Sequence, residues 1–488
     1  MKSILWVVGI ILIAFCATGQ NTVTLQQSKI DKHDLKKIVR ILSSDSLEGR
    51  ETGTAGQIKA ANFISKRFKE IGVKSYNSSN HMEPFNLSIT YWNDVYLETE
   101  NKRLENFNNI IYLGSKIENS VVEKEVVFGG YGTIEDLAQI DVKNKLVLLF
   151  SKNLRSTFLL NNNLKDLQAY GIIAANPDNE VQFESIKHTY KSHALQKICS
   201  LVNPNSLAEL KNRWGGYTLT TEFIIPNYHV KSVLNTPLKK LKKAVLDREI
   251  SKIPTSKVKI KMQRIVDTIQ TANVCGIIKG SSEKSIIITA HYDHIGKIRN
   301  TIFPGADDNA SGIAALLEIA EEFTKYKDLP YNLIFIATSG EEKGLLGSKY
   351  HVRTNTFDSS KVICNLNLDM IARSDTLHTK NQNYLYCLGS KKSVQLNTLL
   401  KKASDEYRLC VFDFSLEDTE YPFGLYTRSD QISFYKKGIP SINFFSGFHD
   451  DYHKPSDTAD KIDYSIFENR VRLLSAFILL LQQEWVEN

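Results

Sequence analysis

From Thr271 to the C-terminus, short β-branched runs alternate with segments of helical period, and few architectures accept that order. SIIITAH, YNLIFIATS, VICNLNLDM, NYLYCLG, RLCVFDF and IPSINFF read as strands. Between and after them, SGIAALLEIAEEFTKY, LLGSKYHVR, a segment opening at Ser393, residues 432–437 and a long C-terminal stretch read as helices. Strands separated by helices join through crossovers, which lay helices on both faces of the sheet. The pattern predicts an α/β fold of three layers with a largely parallel central sheet.

The rest of the chain has a different texture. Residues 30–73 read as two helices, LKKIVRILSS and TAGQIKAANFISKRFKEIGV, the second capped by Thr54 and stopped by Gly72. Between them DSLEGRETGT is a glycine-bearing turn. From about 107 to 264, EVVFGGYG, KLVLLF and GIIAAN predict a small β-rich module. The stretch SKIPTSKVKIKMQRIVDTIQTANVCGIIKG alternates polar and apolar residues, as edge or connecting strands do. A chain of 488 residues suits two or three domains. The expected division is 1–19 as a signal segment, 20–106 as an N-terminal helical part, 107–264 as the insert and 265–488 as the main domain.

Composition excludes some classes. Hydrophobic content of 42% and charged content of 24% are ordinary for a globular protein. The net charge of +7 is dispersed, and its densest run, KKLKKAV, suits the solvated face of a short helix, so no nucleic-acid partner is expected. MKSILWVVGIILIAFCATGQ has a lysine, an apolar run and then small residues, the pattern of a cleaved secretory signal. Export to the periplasm or the extracellular space follows as the expectation. Lipid anchoring through Cys16 is the alternative, with bulky Phe15 against it. No other segment approaches the ~20 apolar residues of a membrane span, so no stable membrane insertion is expected after cleavage. The remaining five cysteines form no CxxC pair and predict buried apolar residues with at most one or two disulfides.

Ligands of open α/β sheets bind beyond the carboxyl ends of the strands. His291 ends SIIITAH, Glu341 and Glu342 follow LIFIATSG, and Asp369 follows ICNLNL. His453 lies in the loop after PSINFF, and Asp308 in the turn GADDNASG. Each alone has an ordinary explanation: a polar loop histidine, acids opening a helix, or turn chemistry. Their collection at successive strand ends points to a site. Imidazoles with carboxylates suit zinc, and one carboxylate can bridge two cations, which would also neutralise the crowded acids. Asp293, two residues after His291, is suited to hold the other imidazole nitrogen.

H-x-D, GADDNASG, EEKGLLGS, LDM and a late YH, in that order, resemble the di-zinc aminopeptidase family, which includes glutamate-carboxypeptidase-like enzymes and, more distantly, glutaminyl cyclases. The resemblance implies a zinc-exopeptidase fold of the phosphorylase/hydrolase-like type and two Zn2+ ions per chain. It implies His291 and Asp369 on one zinc, Glu342 and His453 on the other, and Asp308 bridging, with a cis peptide often found at that residue. Glu341 matches the general base, Asp293 the acid behind the first histidine, and Tyr452 a phenol that stabilises the oxyanion. SLEGRETGT resembles the family's N-terminal cover, and VVFGGYG with IDVKNKLVLLF a protease-associated (PA) insert. The implied activity is hydrolysis of N-terminal residues from peptides with a free N-terminus. The alternatives are a carboxypeptidase using Arg373 or Arg428, a glutaminyl cyclase, and a metal-stabilised peptide-binding protein.

Overall fold

A computed structural model describes residues 28–76, 79–114, 116–154, 164, 166–194, 198–202, 221–378, 380–417 and 424–486. The expected signal segment, with Cys16, lies outside them. Among the described residues no helix is long and apolar enough to cross a membrane.

The alternation after Thr271 builds the predicted sheet. From one edge its strands run Val411–Asp413, Tyr384–Leu388, Ser441–Phe445, Val362–Leu368, Ser285–His291 and Asn332–Thr338. Every neighbouring pair is parallel except Tyr384–Leu388 with Ser441–Phe445. Ser285–His291, Asn332–Thr338, Tyr384–Leu388 and Ser441–Phe445 are buried at every residue and mostly apolar, as coverage of both faces requires. Ile286, Ile288, Leu333 and Phe335 point to one face, under helices Lys32–Leu42, Ala55–Glu70, Gly312–Phe323, Val394–Tyr407 and Tyr464–Glu484. Ile287, Ile334 and Ile336 point to the other, against Val352, Phe434 and Ile439. Thr54 caps its helix by accepting from Gln57 N, and Gly72 ends it at φ +82°.

The stretch read as edge or connecting strands is one 23-residue strand, Ser256–Ile278. Its two apolar ends explain the length. Val258, Ile260 and Met262 enter the core of the smaller region, and Val274, Cys275 and Ile277 enter the main sheet, with a mixed, half-buried to exposed middle from Gln263 to Gln270 between. One edge is covered by Met82–Glu98. The other meets Glu118–Phe128 at its start and Asn332–Thr338 at its end, both antiparallel. Beyond Glu118–Phe128 the parallel strands Leu146–Phe150, Gly171–Ala175 and Glu222–Ile224 follow, so a single sheet spans both regions. Residues 264 and 265 are consecutive members of the long strand. The basic run lies on helix Leu238–Leu246, which buries Leu241 and Ala244. All five described cysteines are buried and none of them is in a disulfide.

Candidate metal centre

The loops after four neighbouring strands converge. His291 is the last residue of its strand, with Nε2 3.3 Å from Asp308 Oδ1 and 3.3 Å from Asp369 Oδ1. Asp369 directly follows Val362–Leu368, its amide donating to Phe444 O on the adjacent strand. Glu342 Oε1 is 3.4 Å from His453 Nε2, which is 3.1 Å from Asp308 Oδ2. Asp308 therefore turns one oxygen to each histidine.

Backbone contacts explain why Asp308 and not Asp307 faces the site. The carboxylate of Asp457 accepts the amides of both Asp307 and Asp308 at 3.1–3.2 Å. Asp307 Oδ1 accepts from Ala372 N at 2.8 Å and Oδ2 is 3.3 Å from His449 Nε2, so its side chain is spent on packing the turn. Asn309, after the cis peptide Asp308–Asn309, donates to Leu368 O and accepts from Gly312 N and Met370 N.

Asp293 sits where the family resemblance puts it but acts differently. His291 Nδ1 is 3.1 Å from the backbone oxygen of Asp293 and 4.0 Å from its carboxylate. The carboxylate is taken by Glu341 N at 3.1 Å, Glu342 N at 3.3 Å and Thr52 Oγ1 at 2.8 Å. One residue thus orients the histidine by its carbonyl and the two glutamates by its side chain.

Electrostatics separate the acids. Burial opposes ionisation of Asp308, but the imidazoles of His294, His291 and His453 hold its carboxyl well below the usual range. Burial pushes Glu341 well above that range against the pull of His291, and Glu342 and Asp369 add to the rise. Tyr452 is raised by burial and by the facing carboxylates, and it stacks on His453 with ring centres 3.9 Å apart. A cavity of about 390 Å³ opens over these groups. Met370, Leu388, Leu425, Phe445 and Phe448 form its apolar wall, and Arg428 stands at its rim.

Two contributors escaped the sequence reading. His294 stands three residues after His291 but belongs to no motif, and its Nδ1 is 3.0 Å from Glu342 Oε1. Arg50, in the turn DSLEGRETGT, is fully buried and donates to the carbonyls of Leu42, Tyr292, Pro304 and Gly305. Beside it Gly49, at φ +70°, is required: a Cβ there would lie 2.4 Å from Phe303 O.

The donor set fits zinc. Donors bonded at about 2.0–2.1 Å to one tetrahedral ion stand about 3.3–3.4 Å apart. The ring-to-carboxylate distances of 3.1–3.4 Å around His291 and His453 match that spacing. Ligand atoms of His291, Asp308 and Asp369, and of His294, Asp308 and Glu342, each lie within 4.8 Å of one another.

Fold and donors together define a three-layer α/β protein with a candidate metal centre at its strand ends. Residues 273–478 match the model of peptidase family M28, which bears out the family resemblance read from the motifs. A probable leucine aminopeptidase of Trichophyton verrucosum is 28% identical over 215 residues, covering 42% of this chain and 56% of that protein. Aminopeptidase YwaD of Bacillus subtilis is 30% identical over 220 residues, or 42% and 44% of the two chains. The chain thus spans about half the length of such curated relatives. An aminopeptidase from Aneurinibacillus sp. strain AM-1 superposes over 92% of this chain and 94% of its own, with TM-score 0.51 at 22% identity, a likeness of fold.

Proposed function

We propose that the chain is an exported zinc-dependent aminopeptidase that cleaves peptides with a free N-terminus. On this reading His291 and Asp369 hold one zinc, Glu342 and His453 a second, and Asp308 is shared. The observation that carries it is the Asp308 carboxylate, with Oδ1 3.3 Å from His291 Nε2 and Oδ2 3.1 Å from His453 Nε2. The aminopeptidases among the relatives and the M28 match of residues 273–478 support it. On the same reading residues 1–19 are a cleaved signal and 20–106 the helical part of the peptidase domain. Residues 107–264 form a PA-like insert and 265–488 the catalytic domain.

Bound zinc supplies a polarised scissile carbonyl and a water acidified towards a pKa of ~7. Glu341, on the cavity wall but outside both donor groups, takes the proton of the attacking water and returns it to the leaving amine. Asp293 fixes Glu341 through its amide. The Tyr452 hydroxyl donates to the oxyanion that develops on the carbonyl. The apolar wall takes a large apolar N-terminal side chain. Of the arginines a carboxypeptidase would use, Arg373 is paired with Asp451 at 3.0 Å, leaving Arg428 at the rim.

The test is hydrolysis of amino-acid p-nitroanilides with free and with N-acetylated amines. It is run on zinc-loaded protein, metal-stripped protein and Glu341→Gln. Zinc-dependent cleavage of free-amine leucine and phenylalanine substrates is expected, lowered roughly 10²–10⁴-fold in Glu341→Gln with zinc retained. Cleavage only of peptides with blocked amines and free C-termini would overturn it in favour of a carboxypeptidase.

A further inference from the structure

We infer that His294 is a fourth protein ligand of the ion held by Glu342 and His453, which makes the two halves of the centre unequal. The inference rests on the two-metal reading above. His294 Nδ1 is 3.0 Å from Glu342 Oε1 and 3.6 Å from Asp308 Oδ2, the same two oxygens that His453 Nε2 approaches at 3.4 and 3.1 Å. Both pairs bracket the edge of about 3.3–3.4 Å expected between donors on one tetrahedral zinc. An imidazole bound at about 2.0–2.1 Å puts its ring centre roughly 3.2 Å from the ion, so two such rings stand at most about 6.4 Å apart. The rings of His294 and His453 are 5.7 Å apart at 73°.

The surroundings leave the ring nothing else to do. His294 is fully buried, and its Nε2 has no hydrogen-bond partner among the described residues. Its polar contacts therefore point only at the donor cluster. Room for the ring is made by Gly305, where a Cβ would lie 2.5 Å from His294 Cδ2. Arg50 anchors both sides of that arrangement: its carbonyl accepts from His294 N at 3.2 Å, and its guanidinium binds Gly305 O at 2.9 Å.

Four protein donors close a zinc's tetrahedral shell, whereas three leave an open position. The ion on His291, Asp369 and Asp308 is then the one open to substrate. The ion on His294, His453, Glu342 and Asp308 is the tightly held one.

Chelator competition on the zinc-loaded protein, followed by zinc content, tests this first. Two classes of ion are expected, and His294→Gln should weaken the tight class alone by more than 100-fold. Removing a group that only orients a ligand costs about 10–100-fold, so a smaller change would make His294 a hydrogen-bonding support for Glu342 and overturn the inference. His294→Cys loaded with Co2+ gives a second readout, independent of affinity. A thiolate-to-cobalt charge-transfer band absent from the wild type, which has the same five buried thiols, is expected. Two bound cobalt ions without the band would overturn the assignment of His294 and leave the two-metal reading intact. A wild-type protein that takes up neither metal would overturn that reading itself.

Discussion

The two parts of the continuous sheet end parallel strands in loops, and among the described residues only one of them gathers buried ionisable groups there, Lys152 and Asp178 of the other being exposed. In the main region the strands run out into His291, Glu341, Glu342, Asp369 and His453. In the smaller region they run out into Gly129, Ser151, Asn176 and Ile225. There the backbone closes on itself: Ser151 N donates to Ala175 O, and Asn176 Nδ2 donates to Lys152 O. The architecture is shared and the chemistry is not, because strand ends offer a position and side chains decide what is held in it. The main region also carries the larger electrostatic cost, with Asp293, Asp307, Asp308 and Asp457 all buried within one cluster. Buried acids of that density call for compensating cations.

Breaking the contrast at its strongest point means Asp308→Ala. Zinc content should fall below one ion per chain, and hydrolysis should drop by more than the roughly 10²–10⁴-fold of Glu341→Gln. A variant that kept both ions would show that the cluster needs no shared acid. Arg50→Met comes next. Four buried carbonyls lose their donor, which should cost about 3–5 kcal/mol in thermal or denaturant unfolding and loosen zinc binding. Full stability in that variant would mean that water replaces the guanidinium.

Glu318 sharpens the comparison through pH. It is buried on helix Gly312–Phe323, away from the cluster, and Arg67, 3.7 Å from it, is engaged by Glu321. Burial raises its carboxyl to about 7, with Glu321 and Asp34 adding to the rise. A carboxyl raised in the folded state contributes stability that is complete below its unfolded value and lost as pH climbs through the folded one. Stability should therefore decline between about pH 4.5 and pH 7, and Glu318→Gln should recover ~2–3 kcal/mol at pH 8 but nothing at pH 4. Identical pH profiles of unfolding would remove Glu318 as the cause. The smallest effect belongs to the quiet region: Asn176→Ala should cost about 1 kcal/mol and leave kcat unchanged. A fall in kcat would tie that region to the chemistry.

Much of this was legible in the sequence because it is written locally. β-branched runs marked the strands, and the residue after each run named most of the candidate donors. What stayed hidden depends on contacts between distant residues. Arg50 meets the Tyr292 carbonyl 242 residues away, and alone in a glycine turn it reads as a surface charge. His294 follows Asp293 directly, yet only the fold turns its ring to Glu342. Spacing suited Asp293 to an imidazole, but the exposed amides of Glu341 and Glu342 compete for its carboxylate and take it. The long strand looked like several because its middle, Gln263 to Gln270, mixes polar and aliphatic residues without a buried face, and only Met82–Glu98 pairs with it there.

That strand has a practical consequence for anyone who would take the molecule apart. A protease or a gene splice ordinarily exploits a joint, and Ser256–Ile278 provides none between the two regions. Cut at 264, one fragment would keep Val258, Ile260 and Met262 on a stump. The other would begin mid-strand, before Asn273, whose side chain accepts from Ser339 N and donates to Gly347 O on either side of Glu341 and Glu342. The cut would fall inside the strand that carries those contacts, so the two regions are distinguishable by eye but not separable by scissors.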